Sequence, residues 1–140
     1  MNLSEYLRLT VIIASLALVP ATVARGATVD EPLTAVSQPA GLRVSMVSEL
    51  QPLAINQMHS WVISLHNAQG EPINDAVIQV DGGMPLHNHG LATSPQVTGR
   101  LGEGRYHLQG VRFHMNGDWE LRLQIQHDSV TYRTTFNLTL

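Results

Sequence analysis

A strictly alternating segment near the carboxyl end limits the fold of this chain more than any other feature of its sequence. Residues 119–126 place Trp, Leu, Leu and Ile at every second position, with Glu, Arg, Gln and Gln between them. Side chains of a β-strand point alternately to the two faces of a sheet, so this segment buries one face and leaves the other in water. Residues 130–138 repeat the pattern after a His-Asp-Ser turn. The two segments predict an antiparallel hairpin in an all-β protein.

The chain after residue 41 follows the same period of two and shows no 3.6-residue apolar period of a helix. Seven short strands in about 100 residues predict one domain, an immunoglobulin-like antiparallel β-sandwich. An irregularity lies at Gly110, where the apolar positions change from even to odd numbers, as a β-bulge or strand break would require. Besides the two segments above, strands are predicted at 42–47, 59–66, 76–81, 97–101 and 105–111.

The first 27 residues have the features of an export signal. Residues 9–19 form an apolar run, and Pro20 and small residues follow it up to Ala24 and Ala27. Cleavage after either alanine fits, and the sequence does not choose between them. The run is shorter than the roughly 20 apolar residues that cross a bilayer as a helix, which favours a cleaved signal over a retained anchor. We predict a signal peptide or short N-terminal anchor at 1–27, a linker at 28–41 and the sandwich at 42–140.

Composition restricts the compartment and the partners. The chain has no cysteine, so an exported domain of this kind is stabilised by burial alone, without disulfides. Its 8 basic residues are all arginines that occur singly, and the formal net charge is -3. No basic stretch could neutralise a row of phosphates, so nucleic acid is not a predicted partner. We predict a periplasmic or otherwise exported protein that touches a membrane only if the N-terminal segment remains as an anchor.

Histidine and methionine are concentrated in three groups: residues 84–89 in one predicted connection, 114–115 in another, and 58–59 at the start of the strand that contains Trp61. Consecutive antiparallel strands alternate in direction, so their connections alternate between the two ends of a sandwich. Counting the strands places these three groups at one end, and His66 and His127 at the other. The residues predicted to gather at the first end are Met58, His59, Met84, His87, His89, His114 and Met115.

Imidazole and thioether donors together suit copper, because neutral imidazole binds Cu(II) or Cu(I) and methionine sulfur favours Cu(I). Zinc sites combine histidine with thiolate or carboxylate, and this chain has no thiolate to offer. A metal-free interpretation also fits. His59 shares the parity of Trp61 and would then be a hydrogen-bonded core residue, while Met58 and Met115 would fill gaps in the packing.

Catalytic motifs are missing from the sequence. Serine, histidine and acidic residues are present, but no G-x-S-x-G nucleophile and no paired carboxylates occur. A copper oxygenase with an N-terminal histidine is disfavoured, because either cleavage site would leave Arg25 or Thr28 first. We therefore predict that the chain is not an enzyme.

Five short motifs, taken in order, resemble the YtkA-like and FixH-like domains. They are NQMHSW at 56–61, GEPI at 70–73, MPLHNHG at 84–90, GRY at 104–106 and FHMNGDWE at 113–120. The resemblance covers residues 42–140 and implies a small exported or membrane-anchored β-sandwich. Some members are associated with copper handling or with the assembly of copper-containing respiratory oxidases. FixH-like proteins keep a full membrane anchor, from which the short apolar segment of this chain departs. By this resemblance the copper ligands are Met84, His87, His89, His114 and Met115.

Two functions follow as hypotheses. The first is an exported copper-binding or copper-delivery module that holds one ion, Cu(I) or Cu(II), by His87, His89 and His114. Methionine sulfur is then a further ligand, His59 a further candidate, and a copper acceptor or a membrane protein the expected partner. The alternative is a metal-free accessory domain that docks on a membrane protein or transporter through a loop or an edge strand.

Overall fold

Nine strands and one short 3₁₀ helix make up the regular structure of residues 31–140, the part of the chain that the computed structural model describes. The predicted signal peptide or anchor at 1–27 lies outside the described residues. Among residues 31–140 there is no helix with the length and apolar character needed to cross a membrane. The strands are β1 (Leu33–Val36), β2 (Leu42–Ser48), β3 (His59–Asn67), β4 (Val77–Met84), β5 (His89–Gly90), β6 (Gln96–Gly102), β7 (Arg105–Val111), β8 (Asp118–His127) and β9 (Val130–Thr139), and the 3₁₀ helix is Pro85–His87.

The strands form two antiparallel sheets that pack face to face. One sheet has the order β1-β2-β3-β7-β6, and the other has the order β5-β4-β8-β9. Every pair of neighbouring strands is antiparallel. The prediction of an all-β antiparallel sandwich is confirmed.

The core lies between the inner faces of the sheets and follows the alternation in the sequence. In β8 the side chains of Trp119, Leu121, Leu123 and Ile125 are buried, and the residues between them are not. In β3 the inward positions begin at His59 and continue through Trp61 at every second residue. Because each strand contributes only every second side chain, the two sheets together supply a single apolar layer.

Strand β1 lies inside the stretch 28–41 that the sequence assigns to a linker. It pairs with β2, and Leu33 and Ala35 pack partly against the core. Beyond it, Gln38 exchanges two backbone hydrogen bonds with Arg133 of β9, so the segment joins the edges of both sheets. The paired part of the chain therefore begins before the predicted start of the sandwich at residue 42.

The stretch 82–90 contains more strand than its glycine and proline content predicts. Strand β4 continues through Gly82 and Gly83, and β5 pairs with its end. A Cβ on Gly83 would lie 2.5 Å from the carbonyl oxygen of His89, and one on Gly82 would lie 2.7 Å from that of Glu120. Glycine is thus used here for close approach of backbones inside a sheet, and not for a turn.

The expected irregularity at Gly110 is a β-bulge in β7. Trp61 pairs with Leu108 and His59 pairs with Val111, so three steps along β7 match two along β3. Gly110 has a φ of 84°, which glycine adopts without strain. The bulge shifts the inward positions from even to odd numbers and continues the buried row at Val111 and Phe113.

Candidate metal centre

Four strand ends meet at one end of the sandwich and carry the predicted ligands. Strand β3 begins where β7 ends, since His59 pairs with Val111. Strand β4 ends beside the start of β8, since Gly83 pairs with Glu120. We call this the histidine end, defined by the connections at residues 84–90 and 112–117.

Three imidazole rings stand next to one another at the histidine end. The ring centroids of His87 and His89 are 6.4 Å apart, and those of His89 and His114 are 6.3 Å apart. His87 and His89 are exposed, and His114 is half-buried. The structure therefore brings together two connections that are more than twenty residues apart in the chain, with His89 in the middle.

The loop that carries His87 and His89 is held at both ends. Pro85 opens the 3₁₀ helix, and Asn88 closes it in the left-handed conformation with a φ of 52°. His89 then pairs with Met84 in the short β4–β5 ladder. The backbone of His89 is fixed by this pairing, whereas the exposed ring of His87 has more freedom to adjust.

His114 is positioned by Trp119. The two rings meet edge to face with centroids 5.3 Å apart, and the indole Nε1 donates a 3.0 Å hydrogen bond to the carbonyl oxygen of Met115. Nδ1 of His114 is buried and has no hydrogen-bond partner within residues 31–140. A buried polar atom without a partner is costly, and such an atom is a natural candidate for a metal bond.

The methionines differ in what they offer to an ion. Met115 is 37% exposed and Met58 is 62% exposed, so both residues reach the surface. Met84 is buried, and its Cε lies only 2.7 Å from the position of a Cβ on Gly117. Met84 therefore fills space under the loop, where its sulfur is packed in the core.

His59 lies inside the core and is separate from the group of His87, His89 and His114. Its residue is 8% exposed, and its ring packs against Phe113 and Trp61. Nδ1 is 3.0 Å from the carbonyl oxygen of Gln57; because a carbonyl only accepts, Nδ1 carries the proton. Burial lowers the pKa of His59 against the opposing effect of that hydrogen bond, so the ring is neutral at pH 7. His59 is thus a core residue bonded to the backbone through Nδ1, and its buried Nε2 has no hydrogen-bond partner within residues 31–140.

The three rings form an open group rather than a closed ligand set. Among residues 31–140, the single group of three histidine or carboxylate side chains with ligand atoms within 4.8 Å of one another is Asp75, His127 and Asp128, at the opposite end. Side-chain rotation is therefore needed before His87, His89 and His114 could share one ion.

The cluster of Asp75, His127 and Asp128 was missed by sequence analysis. The strand count placed His127 at the end opposite the histidine end but gave no reason to join it to Asp75. The pairing of β4 with β8, in which Val77 faces Gln126, brings them together. An aspartate just before one predicted strand and a histidine at the end of its partner was the signal that could have revealed the cluster.

Fold and site together define a class, a two-sheet antiparallel β-sandwich with a group of histidines and two exposed methionines at one end. The family model described as YtkA-like matches residues 37–124, which is more than half of the chain. The chain belongs to the YtkA-like family. No curated protein and no solved structure matches it.

Proposed function

We propose that the chain is an exported copper-binding or copper-delivery module that holds one copper ion at the histidine end. The observation that carries the proposal is the row of three neighbouring imidazoles, with ring centroids 6.4 and 6.3 Å apart, contributed by two separate connections. Ligand sets are assembled in this way from several loops on a rigid scaffold.

The donors have different roles in this proposal. His87, His89 and His114 bind the ion, and neutral imidazole suits both Cu(I) and Cu(II). The sulfur of Met115 is the further ligand, and it would favour Cu(I). Met84 and His59 are not ligands in this proposal. Both side chains are buried and pack in the core next to the connections that carry the three histidines.

Delivery is favoured over storage by the openness of the site. Two of the three rings are exposed, and within residues 31–140 no carboxylate forms with them a group whose ligand atoms lie within 4.8 Å of one another. A closed four-ligand cage retains its metal, whereas ligands that can be exchanged one by one allow transfer to an acceptor. The proposal requires an acceptor of copper as partner, a location outside the cytoplasm, and no catalytic step.

A second candidate function is a metal-free docking domain, and one observation favours it. Leu86 is 84% exposed beside the histidines, and Met58 at the same end is 62% exposed. Large apolar side chains in water mark contact surfaces when they are grouped. In this alternative the three histidines are polar contacts to a membrane protein or transporter.

Thermal unfolding with and without copper separates the two functions. An ion that binds only the folded state adds about 2.7 kcal/mol of stability at a hundred times its dissociation constant, so the midpoint should rise with copper concentration. The measurement is made on the Asp75→Asn, Asp128→Asn double variant, so that the cluster at the opposite end cannot contribute. An unchanged midpoint over a wide range of Cu(I) and Cu(II) would leave the docking domain as the better account.

A further inference from the structure

We propose that Asp75, His127 and Asp128 form a second metal site, selective for a divalent cation of the zinc type. The site lies at the end of the sandwich opposite the histidine end, and it is independent of the copper proposal. We call it the aspartate end site.

The three side chains already converge. Oδ1 of Asp75 is 3.1 Å from Nδ1 of His127, and Oδ2 of Asp128 is 3.3 Å from Nε2 of the same ring. One ligand atom from each residue can be chosen so that all three lie within 4.8 Å of one another. An ion bonds only one of the two ring nitrogens, so the carboxylate that faces the other nitrogen has to rotate towards it before all three donors reach the 2.0 to 2.2 Å that is roughly the length of zinc bonds to nitrogen and oxygen.

The backbone on both sides of the site is fixed by the fold. Asp128 and Ser129 form the two-residue β8–β9 turn with φ values of 47° and 62°. On the other side, the buried hydroxyl of Tyr106 donates to the carbonyl oxygen of Ile73 and accepts from the N–H of Ala76, at 2.7 and 3.0 Å. These two bonds bracket Asp75, so its carboxylate is presented from a segment tied to the core.

The His127 imidazole has one buried nitrogen that makes no hydrogen bond to another described residue, in a side chain that is 18% exposed. Nδ1 of His127 is buried and lacks a hydrogen-bond partner within residues 31–140. Its 3.1 Å approach to Asp75 satisfies the distance of an ion pair but not the direction of a hydrogen bond. The buried nitrogen at the centre of the cluster is therefore unsatisfied, while both carboxylates remain largely exposed.

The donor set selects the class of ion. One imidazole with two carboxylates suits Zn(II), whose sites with three protein ligands leave a fourth position for water. Cu(I) is disfavoured because no sulfur is present, and Ca²⁺ and Mg²⁺ prefer oxygen throughout. The two negative charges balance the double positive charge of the ion, which lowers the cost of bringing it to the partly buried ring.

Zinc titration of the full chain tests this site. The titrations are made at pH 7 with Zn²⁺ alone, in the His87→Ala, His89→Ala, His114→Ala background, so that zinc cannot be held at the histidine end. We expect one equivalent to bind. Adding Asp75→Asn and Asp128→Asn should weaken the affinity by at least about tenfold, since even outer-shell changes cost a metal site that much. Asparagine tolerates the left-handed backbone at position 128, so the turn is kept.

A matched control is available in a single histidine–carboxylate pair elsewhere. Nε2 of His107 is 3.1 Å from Oε2 of Glu49, with one carboxylate instead of two. Glu49→Gln in the same background should leave the zinc affinity unchanged. If the cluster is only an imidazolium held between two carboxylates, zinc will neither bind nor raise the thermal midpoint, and the proposal is overturned. Equal affinity with and without Asp75→Asn and Asp128→Asn would overturn it as well.

Discussion

Replacing His87, His89 and His114 together by alanine is expected to weaken copper binding by about a hundredfold or more. The basis is that loss of even an outer-shell partner costs a metal site roughly 10- to 100-fold, and here three direct ligands are removed. His87 and His89 are exposed, so their loss should change the free energy of unfolding by no more than about 0.5 kcal/mol each. The measurement is a competition titration with a chelator of known copper affinity.

The control for this variant is the double substitution His66→Ala, His107→Ala. Both histidines lie outside the histidine end: His66 pairs with Arg43 of β2, and His107 contacts Glu49. Their removal takes away two imidazoles without touching the three-ring group, so copper affinity should be retained. Equal loss in both variants would mean that copper binds histidines without regard to their place in the fold.

Replacing Gly83 by alanine is expected to disturb stability and copper binding at once. The new Cβ would lie 2.5 Å from the carbonyl oxygen of His89, so strand β5 would have to move away from β4. Overpacking of this kind costs about 1 to 3 kcal/mol, and the displaced backbone carries the middle ring of the three. Denaturant unfolding and the same competition titration measure the two effects.

Gly90→Ala is the matched control, because it lies in the same two-strand ladder. The nearest atom to its added Cβ is the carbonyl oxygen of Gly82 at 3.8 Å, an ordinary contact. This variant should keep nearly full stability and copper affinity. A Gly83→Ala protein that binds copper as well as Gly90→Ala does would show that the β4–β5 ladder does not set the position of His89.

The fold was predictable wherever burial imposes a period of two on the sequence. The row from Trp119 to Ile125 and the change of parity at Gly110 were both visible without coordinates, because most inward side chains are apolar. Strand β1 was not predictable in this way. It is four residues long, its inward residues are only partly buried, and its place depends on pairing with β2 and on the contact of Gln38 with β9.

The sequence predicts which end of the sandwich carries the site, but it does not predict which of the candidate side chains are buried. Alternating strand direction places residues 84–90 and 112–117 at one end, yet it does not say which side chains point outward. The alternation of inward and outward positions indicates part of this burial. Met84 continues the even-numbered row of Ile78 and Val80, and it is buried in the structure. His59 follows the parity of Trp61 in the same way.

Copper binding at the histidine end is tested by NMR of the imidazole nitrogens of every histidine during addition of Cu(I). We expect the signals of His87, His89 and His114 to shift together and to stop changing at one equivalent, while those of His66 and His107 stay in place. Shifts confined to one of the three rings, or spread over all the exposed histidines without saturation, would contradict this expectation.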